Sequence, residues 1–452
     1  MDIKDRAEIT ENISYLIQEK DVPSLRNIIL DTHPADLADI MRELGDKERD
    51  YLFSLIESET ASDVLLELDE VTREELIEEI ATDRLSKIID EMDSDDATDV
   101  VAELPDELAE KVLSIIDTKD RAEVEQLLEH DEETAGGIMQ LEFVAVYEDQ
   151  TVDDAIQVIR HKAQEVEPIH HVYAIDRAGK LRGVVPLKDL ILAGEDKIIK
   201  DIMDEDVTSV TVEKDQEHVA RLARKYDLIS VPVVDHEDRL VGRITFDDIV
   251  DVMHEEAAED LHRMAGITDE EVLQENSTLR ISRLRMPWLL VAFFGELVSA
   301  YILSRFQASL GQILAMAFFI PIIMAMGGNA GMQSSTIVVR SIAMAEGGAT
   351  DLWSRVFREV RVALLNGFIL ALLIFAVVSL WLNQPGFGLV VGIALLVVIL
   401  NASVMGSLVP FILNRMNYDP AIATGPFITT SNDVLGLFIY LTLNAVYLKY
   451  FS

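Results

Sequence analysis

The chain has no cysteine among its 452 residues, which excludes disulfides, thiolate metal sites and cysteine nucleophiles. Any divalent cation must then meet oxygen or imidazole, a donor set that suits hard ions such as Mg²⁺, Ca²⁺ or Mn²⁺. Basic residues are also scarce, with 38 Lys and Arg against 81 Asp and Glu and a net charge of −43. That excess repels phosphate backbones and argues against nucleic acid as a partner. A solvated acidic surface of the salt-adapted kind is the alternative source of the same composition. The start, Met1-Asp2-Ile3-Lys4-Asp5, is polar and lacks the apolar run of a signal peptide. Charge of either sign is nearly missing from the C-terminal third. Only six of the acidic and seven of the basic residues lie after position 285, so residues 1–285 carry about −44 and the rest about +1.

What fills that uncharged third is apolar sequence. A bilayer core of about 30 Å needs roughly 20 apolar residues per helix. Five stretches qualify: 286–303, one starting near 311 and passing Pro321, 362–382, 387–413 and 421–448. Arg280, Arg283 and Arg285 precede the first, Arg355, Arg358 and Arg361 separate the second from the third, and Arg415 follows the fourth. The loop at 383–386 has no charge. Basic residues gather on the cytoplasmic side, so the N-terminus is expected in the cytoplasm and the C-terminus outside a cell (inner) membrane. Asp433, in Thr429-Thr430-Ser431-Asn432-Asp433, costs about 2.5–3.5 kcal/mol at the centre of a lipid-facing helix, so it should face a pore or a partner. Gly327-Gly328-Asn329-Ala330-Gly331-Met332-Gln333 is expected to break or bend the second helix, with Asn329 and Gln333 toward water. Glu296 in the first helix reads more simply as a packed, protonated carboxyl.

Upstream, residues 1–130 read as helices only, with Leu37, Ile40, Met41 and Leu44 at helical spacing. Loosely repeated units at Asp36–Ile40, Asp63–Glu67 and Asp99–Glu103 suggest stacked helical pairs in a small superhelix. Glu91, Asp93, Asp95, Asp96 and Asp99 crowd one region, either as a solvated face or as a metal contact. Residues 131–255 contain a duplication. Asp176, Leu181, Gly183 and Asp189 recur at one offset as Asp235, Leu240, Gly242 and Asp248. Each copy reads as strand, turn, strand, helix, with a helix upstream at about 152–161 and 216–226. The pattern resembles a tandem CBS pair. Many such pairs regulate an attached domain and bind adenine nucleotides through the Asp that opens the last helix, which implies Asp189 and Asp248 as contacts for ATP or another adenine nucleotide. His170 and His171 read as strand residues. Beyond the pair, Glu255 and Glu259, and Glu256 and Asp260, lie one helical turn apart, where like charges need neutralising. Mg²⁺ favours two carboxylates and several waters. His254 opens no zinc-protease motif, because position 258 is Ala.

The whole order resembles the MgtE family of magnesium channels. The specific pieces are Thr134-Ala135-Gly136-Gly137-Ile138-Met139, the Gly327–Ser334 stretch, Asp419-Pro420-Ala421, and Ser431-Asn432-Asp433-Val434 followed by Gly436. The resemblance implies a homodimer with the pore between subunits, Asp433 holding hydrated Mg²⁺, and Asn329, Gln333 and Asn432 lining the pore. It implies a connecting helix near Glu359 and Asp419 at the cytoplasmic mouth. Mg²⁺ between acidic domains would keep the channel closed, with Asp247, Asp251 and Gly136 added to the metal-contacting set. One departure is Gly425-Pro426, where some members have Asn-Pro. The expected fold is multidomain: an all-α superhelical domain (1–130), an α/β CBS pair (131–200 and 201–255), a connecting helix (256–280) and a bundle of five transmembrane helices (281–452).

Two rivals stand against this reading. An intramembrane aspartyl enzyme would need Asp419 and Asp433 within about 3 Å, yet 14 residues of helix separate them by about 21 Å. The other rival is a CBS-regulated transporter of a different divalent cation or solute. The expected mechanism is electrostatic. Close carboxylates repel by about 1 kcal/mol in water and about 4 kcal/mol at an effective dielectric of 20. Full switching needs about 5.5 kcal/mol, hence several ions.

Overall fold

Amphipathic helices, all but the 17-residue first one ended by a turn within about ten residues, build the first part of the chain. A computed structural model describes residues 3–163, 166, 168–265, 278–312, 314–343, 351–416, 418, 420 and 425–451. The chain forms two compact units, residues 1–253 and 254–452.

In the first unit, helices α1 (Ile3–Glu19), α2 (Val22–Asp31), α3 (Pro34–Glu43), α4 (Asp46–Phe53), α5 (Ser58–Leu66), α6 (Glu70–Glu79), α7 (Thr82–Ile89), α8 (Ser94–Glu103), α9 (Asp106–Ile115) and α10 (Thr118–Leu127) follow one another. Side-chain caps start several of them. Asp21 accepts from Ser24 N, Asp69 from Thr72 N, and Asp117 from Lys119 N. Packing runs between alternate helices, α1 on α3, α3 on α5, α5 on α7 and α7 on α9, with α8 on α10. That pattern is the one stacked helical pairs produce. Leu37, Ile40, Met41, Val64, Leu65, Leu85 and Ile88 fill the seam. Arg84 ties two pairs together by donating to the carbonyls of Phe53, Ser54 and Ile56 at 2.7–2.8 Å. It thereby satisfies carbonyls that the end of α4 leaves open.

The duplication folds into two three-stranded sheets of one topology. β1 (Ala145–Tyr147) lies parallel to β2 (His171–Ile175), which pairs antiparallel with β3 (Leu181–Pro186). β4 (Val210–Thr211), β5 (Val231–Val234) and β6 (Leu240–Ile244) repeat this. The expected upstream helices form as α11 (Val152–Lys162) and α13 (Gln216–Tyr226), and α12 (Leu187–Leu192) follows β3. The repeated Asp makes the hairpin turn. Asp176 Oδ1 accepts from Ala178 and Lys180, and Asp235 Oδ1 accepts from Glu237 and Arg239, all at 2.8–3.0 Å. The repeated Gly lets a crossing segment approach. A Cβ at Gly183 would meet Met203 Sδ at 2.7 Å, and one at Gly242 would meet Met139 Sδ at 2.6 Å. These crossings are reciprocal: Gln140 bonds to Arg243 of the second copy, and Asp204 bonds to Val184 of the first.

In the second unit, α15 (Thr278–Arg305), the short α16 (Gln307–Gln312), α17 (Met316–Ala343), α18 (Asp351–Leu382), α19 (Pro385–Arg415) and α20 (Pro426–Phe451) form the bundle. Among the described residues α15, α17, α18 and α19 are long and apolar enough to cross a membrane. α20 is 26 residues long, and Asn432, Asp433 and Asn444 dilute its apolar character. α19 is central, with 56% of its apolar window buried, whereas α15 has 6% and sits at the edge. The expected break at Gly327–Gly331 does not occur, since α17 is continuous through it. Those glycines serve close helix packing instead. A Cβ on Gly327 would meet Val398 at 3.0 Å, and one on Gly331 would meet Ile428 at 3.0 Å.

Replacing Arg84 tests the superhelix. Arg84→Ala is expected to cost about 2 kcal/mol, read as roughly thirtyfold faster amide exchange in residues 46–57 of the full-length protein.

Candidate cation-binding sites

The N-terminus of α8 brings carboxyls together because Asp93 sits at its cap and Asp95, Asp96 and Asp99 occupy its first turns. The lead-in to the first CBS copy crosses this end. Ser94 Oγ donates to Glu142 at 2.7 Å and accepts from Leu141 N at 2.8 Å. Gln140, 4% exposed, accepts from Arg243 Nε at 2.8 Å and reaches Asp95 at 3.5 Å. The start of α14 (Phe246–Ala265) closes the cluster with Asp247 and Asp248. Asp248 accepts from Thr245 N at 3.0 Å and from the Thr245 hydroxyl.

Burial raises these carboxyls first, and their neighbours add to it. Asp93 is pushed up to about 6 by burial and by Glu142. Asp96 is pushed up to about 8 by burial, with Asp248 and Asp93 next. Asp95, 6% exposed, rises well above the usual range by burial and by Asp248. Asp248 also rises by burial, against the opposing bonds from Thr245. Asp99 is pushed up to about 7 by burial of its carboxyl and by Glu132, while Asp251 and Glu91 stand exposed. Among the described residues no three His, Asp or Glu side chains are close enough to hold one ion outright. Gly136 is buried, its N–H donating to Val212 O at 2.8 Å, and a Cβ there would strike the His130 ring at 2.7 Å.

Asp189 and Asp248 do not share a setting. Asp189 opens α12, half-exposed, whereas Asp248 faces α8. A cleft of the CBS pair lies next to Asp248, lined by Pro168, His171, Ile229, Ser230, Arg243 and Thr245. Ser230 Oγ bonds to Tyr173 OH at 2.8 Å and to His171 Nε2 at 3.0 Å. Burial and Arg243 lower His171 to about 4, so it is neutral at pH 7. It opens β2, as a strand residue should.

α14 runs unbroken to Ala265, so the expected boundary at 255/256 falls inside one helix. Glu259 pairs with Arg263 one turn on, Glu256 is half-buried, and Glu255 is exposed. The Asp260 side chain and the remainder of the expected connecting helix, 266–277, lie outside the described residues.

In the bundle, Asp433 on α20 is half-buried, and its carboxyl lies close to that of Glu296 on α15. Asn432 is 2% exposed, and its amide finds no hydrogen-bond partner among the described residues. Asn329 and Gln333 are exposed one turn apart on α17. Glu359 is 7% exposed and accepts from Ser334 Oγ at 3.1 Å, within the bundle. Asp419 lies outside the described residues. Sequence reasoning missed Glu142 and Gln140, which carry no periodic signal, and it missed the pairing of Glu296 with Asp433.

An acidic helical layer, a CBS pair and a bundle with one half-buried Asp match a known set of models. Residues 320–443 match MgtE, described as a divalent cation transporter. Residues 32–133 match the MgtE intracellular N domain, and residues 135–196 and 199–255 match the CBS domain. The magnesium transporter MgtE of Enterococcus faecalis is 38% identical over 329 residues, 73% of this chain and 72% of that one. The chain belongs to the MgtE family. The MgtE of Thermus thermophilus is 38% identical over 330 residues, 73% of each chain, and that of Bacillus subtilis is 35% identical over 70% of each. The crystal structure of the cytosolic domain of the Mg²⁺ channel MgtE in complex with ATP is similar at 35% identity and a TM-score of 0.52, covering 54% of this chain and 99% of that one. The soluble part of a magnesium transporter is similar at 32% identity and a TM-score of 0.51.

The carboxyls of this MgtE chain set a pH dependence. Folding favours the protonated forms of Asp93 and Asp96, so the stability they lend is complete below about pH 4 and is lost as pH rises through about 6 to 8. Without Mg²⁺, amide exchange in residues 94–103, corrected for its intrinsic rate, is expected to be slower at pH 5 than at pH 8. Protection by millimolar Mg²⁺ should be larger at pH 8, where the ligands are deprotonated.

Proposed function

We propose that the chain forms a homodimeric pathway for Mg²⁺ uptake across the cell membrane, opened and closed by cytoplasmic Mg²⁺ bound at the α8–α14 cluster. The observation that carries the reading is Asp433, a half-buried carboxyl in a 26-residue helix whose other charged residue is Lys449 near its end. A carboxylate there is tolerated when it faces water, an ion or a partner. Asn329 and Gln333, exposed on a membrane helix, need the same kind of neighbour, which a second copy of the chain would supply. The relatives' names, magnesium transporter MgtE, give the substrate class. The absence of cysteine leaves the oxygen donors that suit a hard ion.

At the cluster, Asp95, Asp96, Asp99, Asp247, Asp248 and Asp251, with Asp93 and Glu142, serve as the sensing carboxylates. Bound cations draw α8 and α14 together against the repulsion that burial and like charge create. Glu255, Glu256, Glu259 and Asp260 continue the run of acidic residues in the sequence of α14, and Glu359 and Asp419 remain the candidates for the cytoplasmic mouth by the inferred topology. The cleft beside Ser230 and Arg243 takes an adenine nucleotide, a reading supported by the ATP complex of the similar cytosolic domain. Asp189 remains a candidate nucleotide contact outside that cleft's lining, and Asp248, next to the cleft, belongs also to the cation cluster.

Flux into liposomes tests this. Asp433→Ala is expected to abolish Mg²⁺ flux while the protein keeps its size and melting behaviour, and Asp433→Asn should retain part of it, since the ion is held through its waters. Wild-type flux in Asp433→Ala sinks the assignment. Preference for Ca²⁺ or Co²⁺ over Mg²⁺ in competition would favour a different divalent cargo.

A further inference from the structure

Between Arg285 and Arg305 the sequence has one charged residue, Glu296. Its side chain is exposed on α15, a helix with 6% of its apolar window buried. In lipid such a carboxylate costs about 2.5–3.5 kcal/mol. It is not isolated, because its carboxyl lies close to that of Asp433. The contact is fixed by packing. A Cβ on Gly295 would overlap the Thr430 methyl, so the Thr430–Asp433 turn of α20 lies directly on α15 at Gly295–Glu296. Two carboxylates in contact at membrane depth need a proton or a cation between them. A lipid-facing place for Glu296 leaves its charge uncompensated, whereas a wet pathway beside Asp433 accommodates both groups.

We propose that Glu296 lines the ion pathway beside Asp433 as a second carboxyl and raises the pathway's hold on hydrated divalent cations. This rests on the reading of Asp433 as a pathway residue. Glu296 then acts as a specificity-determining residue. An added negative charge favours a doubly charged ion over K⁺ or Na⁺.

The cysteine-free chain permits a direct test in the full-length protein. Glu296→Cys, Asp433→Cys and Val298→Cys would each carry the only thiol, and each would be exposed in liposomes to a cationic, membrane-impermeant methanethiosulfonate. Glu296→Cys should react, and millimolar Mg²⁺ should slow it by about fivefold if the ion occupies the site at a few times its Kd. Val298→Cys, on the opposite side of α15, should react far more slowly. Reaction at Asp433→Cys without reaction at Glu296→Cys overturns the inference and leaves the pathway standing. Reaction at neither overturns the pathway reading, and the inference with it. Flux provides a measurement free of thiols. Glu296→Gln should raise the half-saturating Mg²⁺ about tenfold, as expected for losing one charge near a hydrated divalent ion, and Glu296→Asp should recover most of it. An unchanged half-saturation and an unchanged Mg²⁺ over K⁺ preference in Glu296→Gln would also overturn it.

Discussion

Carboxylates held close against their own repulsion are the constraint around which this chain is arranged. At the N-terminus of α8, Asp95 is buried and Asp96 half-buried near Asp248, and Arg243 of the CBS pair acts on Asp93. Burial removes the water that would screen them, and the segment is held by Ser94 on Glu142 and Leu141 and by Gln140 on Arg243. Protons or divalent cations relieve such charge.

The CBS pair is built so that such a strain is shared between its copies. Each copy's lead-in segment pairs with the other copy's strand, Gln140 on Arg243 and Asp204 on Val184, and the two hairpin tips bond through Gly179 and Asp238. A shift at the α8 junction is therefore felt by Arg243, which also lines the cleft through its contact with the Pro168 carbonyl at 3.1 Å. Arg243 thus lies between Gln140, which reaches Asp95, and the Pro168 carbonyl at the cleft.

In the bundle a different economy holds. Lipid offers no hydrophobic drive for helix association, so close approach at small residues does the work. Gly327, Gly331, Gly406 and Gly436 lie where α17, α19 and α20 cross, and α17 stays helical through a glycine-rich stretch that in isolation reads as a break. Tyr440, fully buried, donates to the Met316 carbonyl at 2.9 Å and fixes the start of α17 on α20.

The sequence by itself determined the layers and the family. Helical spacing at Leu37–Leu44, the constant offset from Asp176–Asp189 to Asp235–Asp248, and the apolar runs after position 285 each rest on local rules of period, turn chemistry and bilayer thickness, which need no knowledge of distant neighbours. The absence of cysteine likewise settled the donor chemistry. Tertiary structure alone decided which charges meet. Asp248 reads as a nucleotide contact in a single repeat and turns toward Asp95 once α8 is packed beside it. Glu142 has no pattern to announce it, Glu359 closes onto Ser334, and Glu296 meets Asp433 across 137 positions of sequence. Coulomb interactions depend on distance in space, and the glycines that let helices approach were legible as breaks because their packing partners lie far away along the chain.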